Sequence, residues 1–404
     1  MRYLLVTHIP FAMQADGTAT LDRLWCEDLI GLAGSIGTVT VAAPCMDLEA
    51  MKAWGTGFAT VAAGGALQFV ALPVRGGRLD VLYGLRLRKA LRDAVGKADL
   101  VHTSNLFGRD VALYFAHDLA VKSGKKTLFV VAEDFVDMLG WEWVRTAPNA
   151  LQQWRRRRTL RSLDAHVRRR IASASLVFLH TPAAVARYRL DASNAFAIRQ
   201  PVHECADVVG SEALAHKQAE VVGGATLRLV TASRMQPLKG LDFLLRAIAL
   251  LRERAVEVRL TMYGGGPAKS ELRQLAARLG IADCVDFAGA LAAGPELRHA
   301  LVLHHVFVMP HLTTDFGRGF FDAMAAGCPV VAFRSAASEG TIREGVDGNL
   351  VANADVEALA AAIARLHVDR AATVAMMANA QTRAVENTRA GWNKLRAQWI
   401  QELL

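Results

Sequence analysis

The stretch that decides the fold is Thr313-Thr-Asp-Phe-Gly-Arg-Gly-Phe-Phe-Asp-Ala-Met-Ala-Ala-Gly-Cys-Pro-Val-Val-Ala-Phe333. It reads as a glycine-containing loop running into a short helix, then a Gly-Cys-Pro turn and a buried β run. A loop-to-helix junction of this kind offers free backbone N–H groups and the positive end of a helix dipole to an anion. Asp322 falls about one turn inside the helix, where a carboxylate reaches a ligand hydroxyl.

Outward from this stretch, strands alternate with helices, the pattern of doubly wound α/β domains. In the first half β runs are expected at Tyr3–His8, Val39–Ala43, Leu100–His102, Thr127–Ala132 and Leu176–His180. The second half restarts with Leu227–Ala232, Val256–Tyr263, Val285–Ala288, Val306–Met309 and Val330–Phe333. A length of 404 residues suits two or three domains at about 100–200 residues each. The join is expected at about residues 200–225, giving an N-terminal Rossmann-like domain over 1–205 and a C-terminal one over 225–385. Residues 386–404 read as a helix packing back towards the N-terminal domain, with Trp392, Leu395, Trp399 and Ile400 as its stripe. Packing within its own domain explains that stripe equally well.

Composition excludes several classes. The chain is 52% hydrophobic and 21% charged, which supplies an ample core. No apolar run approaches the ~18 residues that span a membrane. The N-terminus lacks a small-residue cleavage site and reads as a first strand. Five cysteines without Cys-x-x-Cys spacing suit reduced thiols in a cytoplasmic protein. His304, His305 and His311 cluster in sequence without acid or cysteine partners, so no metal site is expected. The absence of a Gly-x-Ser-x-Gly elbow removes the serine-nucleophile class.

Most of the net charge of +9 sits in one window, where Arg155–Arg158, Arg161 and Arg168–Arg170 face Asp164 alone. Leu160, Leu163, Val167 and Ile171 lie at helical spacing, so the window is expected to be a helix with one narrow apolar stripe against the core. Two readings stand: a solvated basic face, or attraction between Arg155–Arg170 and an anionic membrane surface. With a single stripe, membrane contact would be electrostatic, and the localisation cytoplasmic and peripheral at the inner face of the membrane. No nucleic-acid-binding module is present.

The candidate chemistry lies in the second half. After the strand ending at Ala232 comes Ser233-Arg-Met-Gln-Pro-Leu-Lys-Gly240, which carries Arg234 and Lys239 on one strand-to-helix loop. Two cations at the carboxyl end of a parallel strand suit a diphosphate. Two ordinary surface cations are the alternative. A second strand runs into Gly264-Gly-Gly-Pro267, where Gly264 and Gly265 permit close backbone approach to a ligand or simply end the strand tightly.

These blocks, in this order, resemble glycosyltransferase family 4. The similarity runs through Arg234…Lys239-Gly240, Gly264-Gly-Gly-Pro267, Val285-Asp-Phe-Ala-Gly289, Met309-Pro310, Phe316-Gly317, Asp322-Ala-Met-Ala-Ala-Gly327 and Glu344-Gly-Val-Asp-Gly348. The resemblance implies the GT-B architecture: two Rossmann-like, doubly wound parallel-sheet domains facing a central cleft. It implies a retaining, metal-independent enzyme with no cofactor, whose partners are a nucleotide-sugar donor and a sugar or lipid-linked acceptor. Carried over, Arg234 and Lys239 bind the donor diphosphate, and Asp322 holds the ribose hydroxyls. Phe316 and Gly317 meet the donor sugar and phosphate, Phe287 and Ala288 touch the base, and Gly17 lies under the phosphates from the other domain.

Departures accompany the matches. The family's Glu-x7-Glu motif is here Thr314-x7-Asp322, and Asp315 replaces a glycine. The contact of the first glutamate with the donor sugar is therefore lost or taken over by Asp315. In the first half, Glu133 stands where the family commonly has a histidine near the reacting sugar; it fills that role, or the acceptor site is differently built. A nucleotide-sugar epimerase of similar fold, distinguished by needing no acceptor, and a non-catalytic nucleotide-sugar-binding protein are the competing expectations.

Overall fold

The structure is a computed structural model describing residues 1–52, 57–74, 82–105, 111–132, 140–188, 190, 193–313 and 318–403. It divides into two compact units, Met1–Arg199 with Ala390–Leu404, and Gln200–Arg389.

In the first unit the strands are β1 Tyr3–Val6, β2 Ala12–Met13, β3 Thr18–Asp22, β4 Val39–Pro44, β5 Phe58–Ala62, β6 Leu67–Leu72, β7 Leu100–Ser104, β8 Lys126–Val131, β9 Leu176–Leu179 and β10 Ala195–Ala197. Seven form a parallel sheet in the order β10-β9-β8-β7-β1-β4-β6. The remaining three, β2-β3-β5, make a small antiparallel sheet. β1 and β9 are buried at every position. Unbroken apolar runs of this kind belong to parallel strands covered on both faces.

The second unit contains β11 Leu227–Ala232, β12 Val258–Tyr263, β13 Val285–Gly289, β14 Val306–Met309, β15 Val330–Phe333 and β16 Gly348–Val351. All six are parallel, in the order β13-β12-β11-β14-β15-β16. Counted within each unit, both parallel sheets contain the order 3-2-1-4-5-6, with the first sheet extended by β10. This is the doubly wound order in which a crevice opens between strands 1 and 4, where the direction of winding reverses.

Residues 200–225, where the composition places a linker, begin the second unit and carry the helix Ser211–Val222. Its Lys217 Nζ donates to the Ala326 carbonyl at 2.8 Å. The helix Arg389–Glu402 returns the chain to the first unit. There Trp399 stacks on Phe196 with centroids 4.3 Å apart, and Ile400 and Ala397 join the core beneath β1 and β4. Arg396 and Asn393 add a polar tie to Asp28 on the helix Arg23–Ile36.

Candidate functional site

In the second sheet the winding reverses between β11 and β14, so the loops leaving those strands define the crevice. The loop after β11 holds Arg234, exposed, and Lys239, half-buried in the 3₁₀ turn Pro237–Lys239. Gly240 follows with φ 59°, and a Cβ there would fall on the Pro310 carbonyl oxygen just beyond β14. Leu312 N–H donates to the Leu238 carbonyl at 3.0 Å, fastening the two loops together.

The loop after β12 is knitted to the same place. Met235 N–H donates to Gly265 O at 2.8 Å, and Ala268 N–H donates to Met235 O at 3.1 Å. Gly264 has φ 137°, and a side chain there would strike the Ser233 carbonyl oxygen. Only a residue without Cβ satisfies both demands. The structure therefore brings Arg234, Lys239, Gly264 and Gly265 together. Arg234 is exposed and makes no hydrogen bond or ion pair to another described residue. The Ser233 hydroxyl, at the same strand end, is buried without a hydrogen-bond partner among the described residues.

Phe287 and Ala288 lie on the edge strand β13, whose last residue Gly289 accepts from Gly264 N–H at 2.6 Å, and Arg273 lies 5.5 Å from the Phe287 ring centroid. Thr314, Asp315, Phe316 and Gly317 lie outside the described residues, as does Glu133 after β8. The end of β8 is held by the buried Asn105, whose Oδ1 accepts from Ala132 N–H at 2.7 Å. Gly17, with φ 81°, turns the hairpin between β2 and β3. Asp16 beside it accepts from the Thr18 hydroxyl and N–H, which lowers its pKa.

Asp322 departs from the simple expectation of a carboxylate open to a ligand. In the helix Arg318–Ala325 it is only 3% exposed, and burial pushes its carboxyl up to about 6 against the pull of Arg298. Arg298 Nη1 lies 3.4 Å from Asp322 Oδ1, while Nη2 donates to Asp207 Oδ1 at 2.7 Å. Burial would raise the Asp207 pKa, but the Glu204 N–H and Arg298 outweigh it and the net shift is down. The sequence motifs do not include Arg298 or Asp207. The available signal is that Arg298, Leu301 and Val302 share helical spacing in Pro295–Val302, placing an arginine on an apolar face.

The basic window forms the helix Ala150–Ser173, N-capped by Asn149. Its arginines are not equivalent. Arg170 is buried, paired with Asp118 at 2.8 Å and lying 4.1 Å from the Tyr114 ring centroid. Arg168 pairs with Asp164 at 2.8 Å and covers Tyr188. In the N-terminal half Arg155, Arg157, Arg158 and Arg161 are exposed, beside Leu151 and Trp154 at 57% and 55% exposure. The core stripe at Leu160, Val167 and Ile171 is thus joined by a second apolar element facing water. No helix among the described residues is long and apolar enough to cross a membrane.

Residues 226–369 match the family model of glycosyl transferases group 1. This segment holds Arg234, Lys239, the three linked loops and Asp322. Among curated proteins, a GDP-mannose-dependent alpha-(1-6)-phosphatidylinositol monomannoside mannosyltransferase of Mycolicibacterium smegmatis is 34% identical over 166 residues, 39% of this chain and 43% of that protein. A D-inositol 3-phosphate glycosyltransferase of Streptomyces griseus is 41% identical over 146 residues, 33% of this chain and 30% of that one. The chain thus matches less than half the length of these relatives. Solved structures extend the likeness in fold to the whole chain. Sucrose-phosphate synthase from Thermosynechococcus elongatus has a TM-score of 0.70 at 17% identity, covering 100% of this chain and 99% of its own. The Anabaena protein HepE, in complex with UDP-glucose, has a TM-score of 0.67 at 19% identity and full coverage of both chains. The fold is GT-B.

Proposed function

We propose that this protein is a retaining glycosyltransferase that moves a sugar from a nucleoside-diphosphate donor to an acceptor hydroxyl without a metal ion. The observation that carries this is the crevice of the second sheet. Two cations on one loop stand at the reversal point, inside the segment that matches the transferase family. Arg234 and Lys239 take the diphosphate, and Asp322 takes the ribose hydroxyls.

As the bond between the sugar anomeric carbon and the diphosphate breaks, negative charge grows on the departing nucleotide. Fixed cations stabilise that charge more than they stabilise the ground state, and so lower the barrier. The acceptor hydroxyl forms its bond to the same face of the anomeric carbon. Its proton passes to a phosphate oxygen of the leaving nucleotide, so the step balances without a separate protein base. Orientation of two substrates supplies much of the remaining acceleration.

The relatives' names supply GDP-mannose as one candidate donor, and the solved structures supply UDP-glucose as another. The test is thermal shift with GDP, UDP, GDP-mannose and UDP-glucose. A ligand at about 100 times its Kd adds about 2.7 kcal/mol of stability. Product analysis with lipid-linked and free sugar acceptors follows, and anomeric NMR reads the stereochemistry. No shift with any nucleotide overturns the proposal. An altered nucleotide sugar formed without acceptor would identify an epimerase instead, and binding without turnover a non-catalytic protein.

The exposed Leu151, Trp154, Arg155, Arg157, Arg158 and Arg161 support a lipid-linked acceptor. A tryptophan flanked by cations suits the headgroup region of an anionic bilayer, with each nearby cation adding about 1 kcal/mol. Co-sedimentation with anionic and neutral vesicles at two salt concentrations decides this; binding indifferent to lipid charge overturns it.

A further inference from the structure

In the second unit three charged side chains from three separate elements are joined through one arginine. Asp207 closes the 3₁₀ turn Cys205–Asp207, Arg298 projects from the helix Pro295–Val302, and Asp322 belongs to the helix Arg318–Ala325. Arg298 and Asp322 are 5% and 3% exposed. One cation thus faces two carboxylates in a largely buried setting.

The two contacts are unequal. Arg298 Nη2 to Asp207 Oδ1 is a close hydrogen-bonded ion pair at 2.7 Å, whereas Nη1 to Asp322 Oδ1 is 3.4 Å. Asp207 is itself held, its Oδ2 accepting from Glu204 N–H at 2.8 Å, while Glu204 Oε1 accepts from Arg389 at 2.9 Å. The arginine is therefore anchored on the Asp207 side and reaches towards Asp322 without closing on it.

Stability does not explain this arrangement. The helix that carries Asp322 is buried at Phe320, Phe321, Ala323 and Met324 as well, so the carboxylate lies in a segment otherwise given to the core. Replacing buried ion pairs by apolar groups is often neutral or stabilising. A carboxylate loosely held at such a place retains acceptor capacity, since an ionised carboxylate has about four lone-pair sites.

We propose that Arg298 is a positioning residue for the nucleotide end of the donor site, keeping the Asp322 carboxylate ionised so that it accepts hydrogen bonds from the nucleotide's hydroxyls, with Asp207 fixing Arg298 in place. This rests on the donor-site function proposed above. The charged groups acting on Asp322 are Arg298, Arg318 on its own helix and Asp207. The first two favour its ionised form and Asp207 opposes it.

The test is the affinity for GDP-mannose and UDP-glucose, by calorimetry, across about pH 5.5 to 9. These probes are diphosphate diesters and carry no phosphate that titrates in this range. In the wild type, affinity should fall as pH drops through about 6, the range in which Asp322 takes up its proton. Arg298→Gln should move that fall upward by about two pH units, losing about tenfold in affinity at pH 7 and recovering it at pH 9. Arg298→Lys should restore the wild-type profile.

Asp207→Asn should move the fall the opposite way, because it removes the opposing charge and frees Arg298 to close on Asp322. It keeps the buried cation paired, so it serves if Arg298→Gln does not fold. A merely structural role would cost affinity equally at every pH. That result, or profiles unmoved in both variants, overturns the proposal while leaving the donor site standing, provided Arg234→Ala abolishes binding. A wild type that binds neither probe, or an Arg234→Ala variant that binds normally, overturns the donor site and this inference with it.

Discussion

The two parallel sheets share one winding order but finish their strand ends differently. At the rim of the second sheet, backbone meets backbone: Gly240 lies against Pro310 O, Gly264 against Ser233 O, and Met235 and Leu312 bond across loops. The first sheet instead carries the small antiparallel sheet β2-β3-β5, where Gly17 turns a hairpin in open space with no atom within 4 Å of its would-be Cβ. One rim is closed by close approach and tolerates no side chain at its glycines. At Gly17, among the described residues, the other leaves that space open.

The sharpest way to break this contrast is to add side chains at matched positions. Gly264→Ala should cost about 4 kcal/mol or more in urea unfolding, because it combines φ 137° with a clash of its Cβ against backbone. Gly17→Ala should cost only about 1–2 kcal/mol, the price of the left-handed conformation alone. Equal losses would end the comparison.

Asp322→Asn probes the buried charge cluster of the second unit. The carboxyl's pKa is raised from 3.8 to about 6, so the native state keeps its proton to higher pH than the unfolded chain does. Ionising it costs stability that is absent below pH 4 and complete above about pH 6. The asparagine variant should accordingly be more stable than wild type by up to about 3 kcal/mol at pH 8, and equal to it near pH 4. Unfolding curves at the two pH values check this; loss of nucleotide binding in the stabilised variant would mark a group kept for function.

Next in size, Arg234→Ala and Lys239→Ala should each lower turnover about 100-fold. Arg234→Ala should leave the melting temperature unchanged, since the side chain is exposed and unpartnered among the described residues. Smallest is Trp154→Ala on the first unit, expected to weaken binding to anionic vesicles several-fold while changing stability by less than about 0.5 kcal/mol. A variant that sediments as well as wild type would leave only the arginines to explain any attraction.

Ten strands are legible as apolar runs, most of them parallel strands whose burial on both faces leaves little room for polar alternation, with the edge strand β13 and its neighbour β12 as exceptions. β2, β3, β5, β6 and β10 escape notice: β2 and β10 are two and three residues long, and β3 and β5 are rich in threonine and alanine, as in Thr18-Ala-Thr-Leu-Asp22. β16, which opens on Gly348-Asn349, is wholly buried although no β run is expected there. In the candidate site, Arg234, Lys239 and the glycines are visible because each is demanded by local backbone geometry or by a loop's place in the order. Arg298 is not, because its burial depends on Asp207, 91 residues away in sequence. The inequality among the arginines of the basic helix is hidden for the same reason, being set by Asp118 and Tyr114 on a different element.

The helix Arg389–Glu402 carries one further consequence. Trp399 and Ile400 fill a core whose other walls, β1, β4 and β9, are made from residues preceding the whole second unit. On the ribosome, the unit that emerges first therefore waits, with an apolar seam unfilled, until the unit that emerges second has been made. Domains usually fold in the order of their synthesis. Here the second can finish ahead of the first.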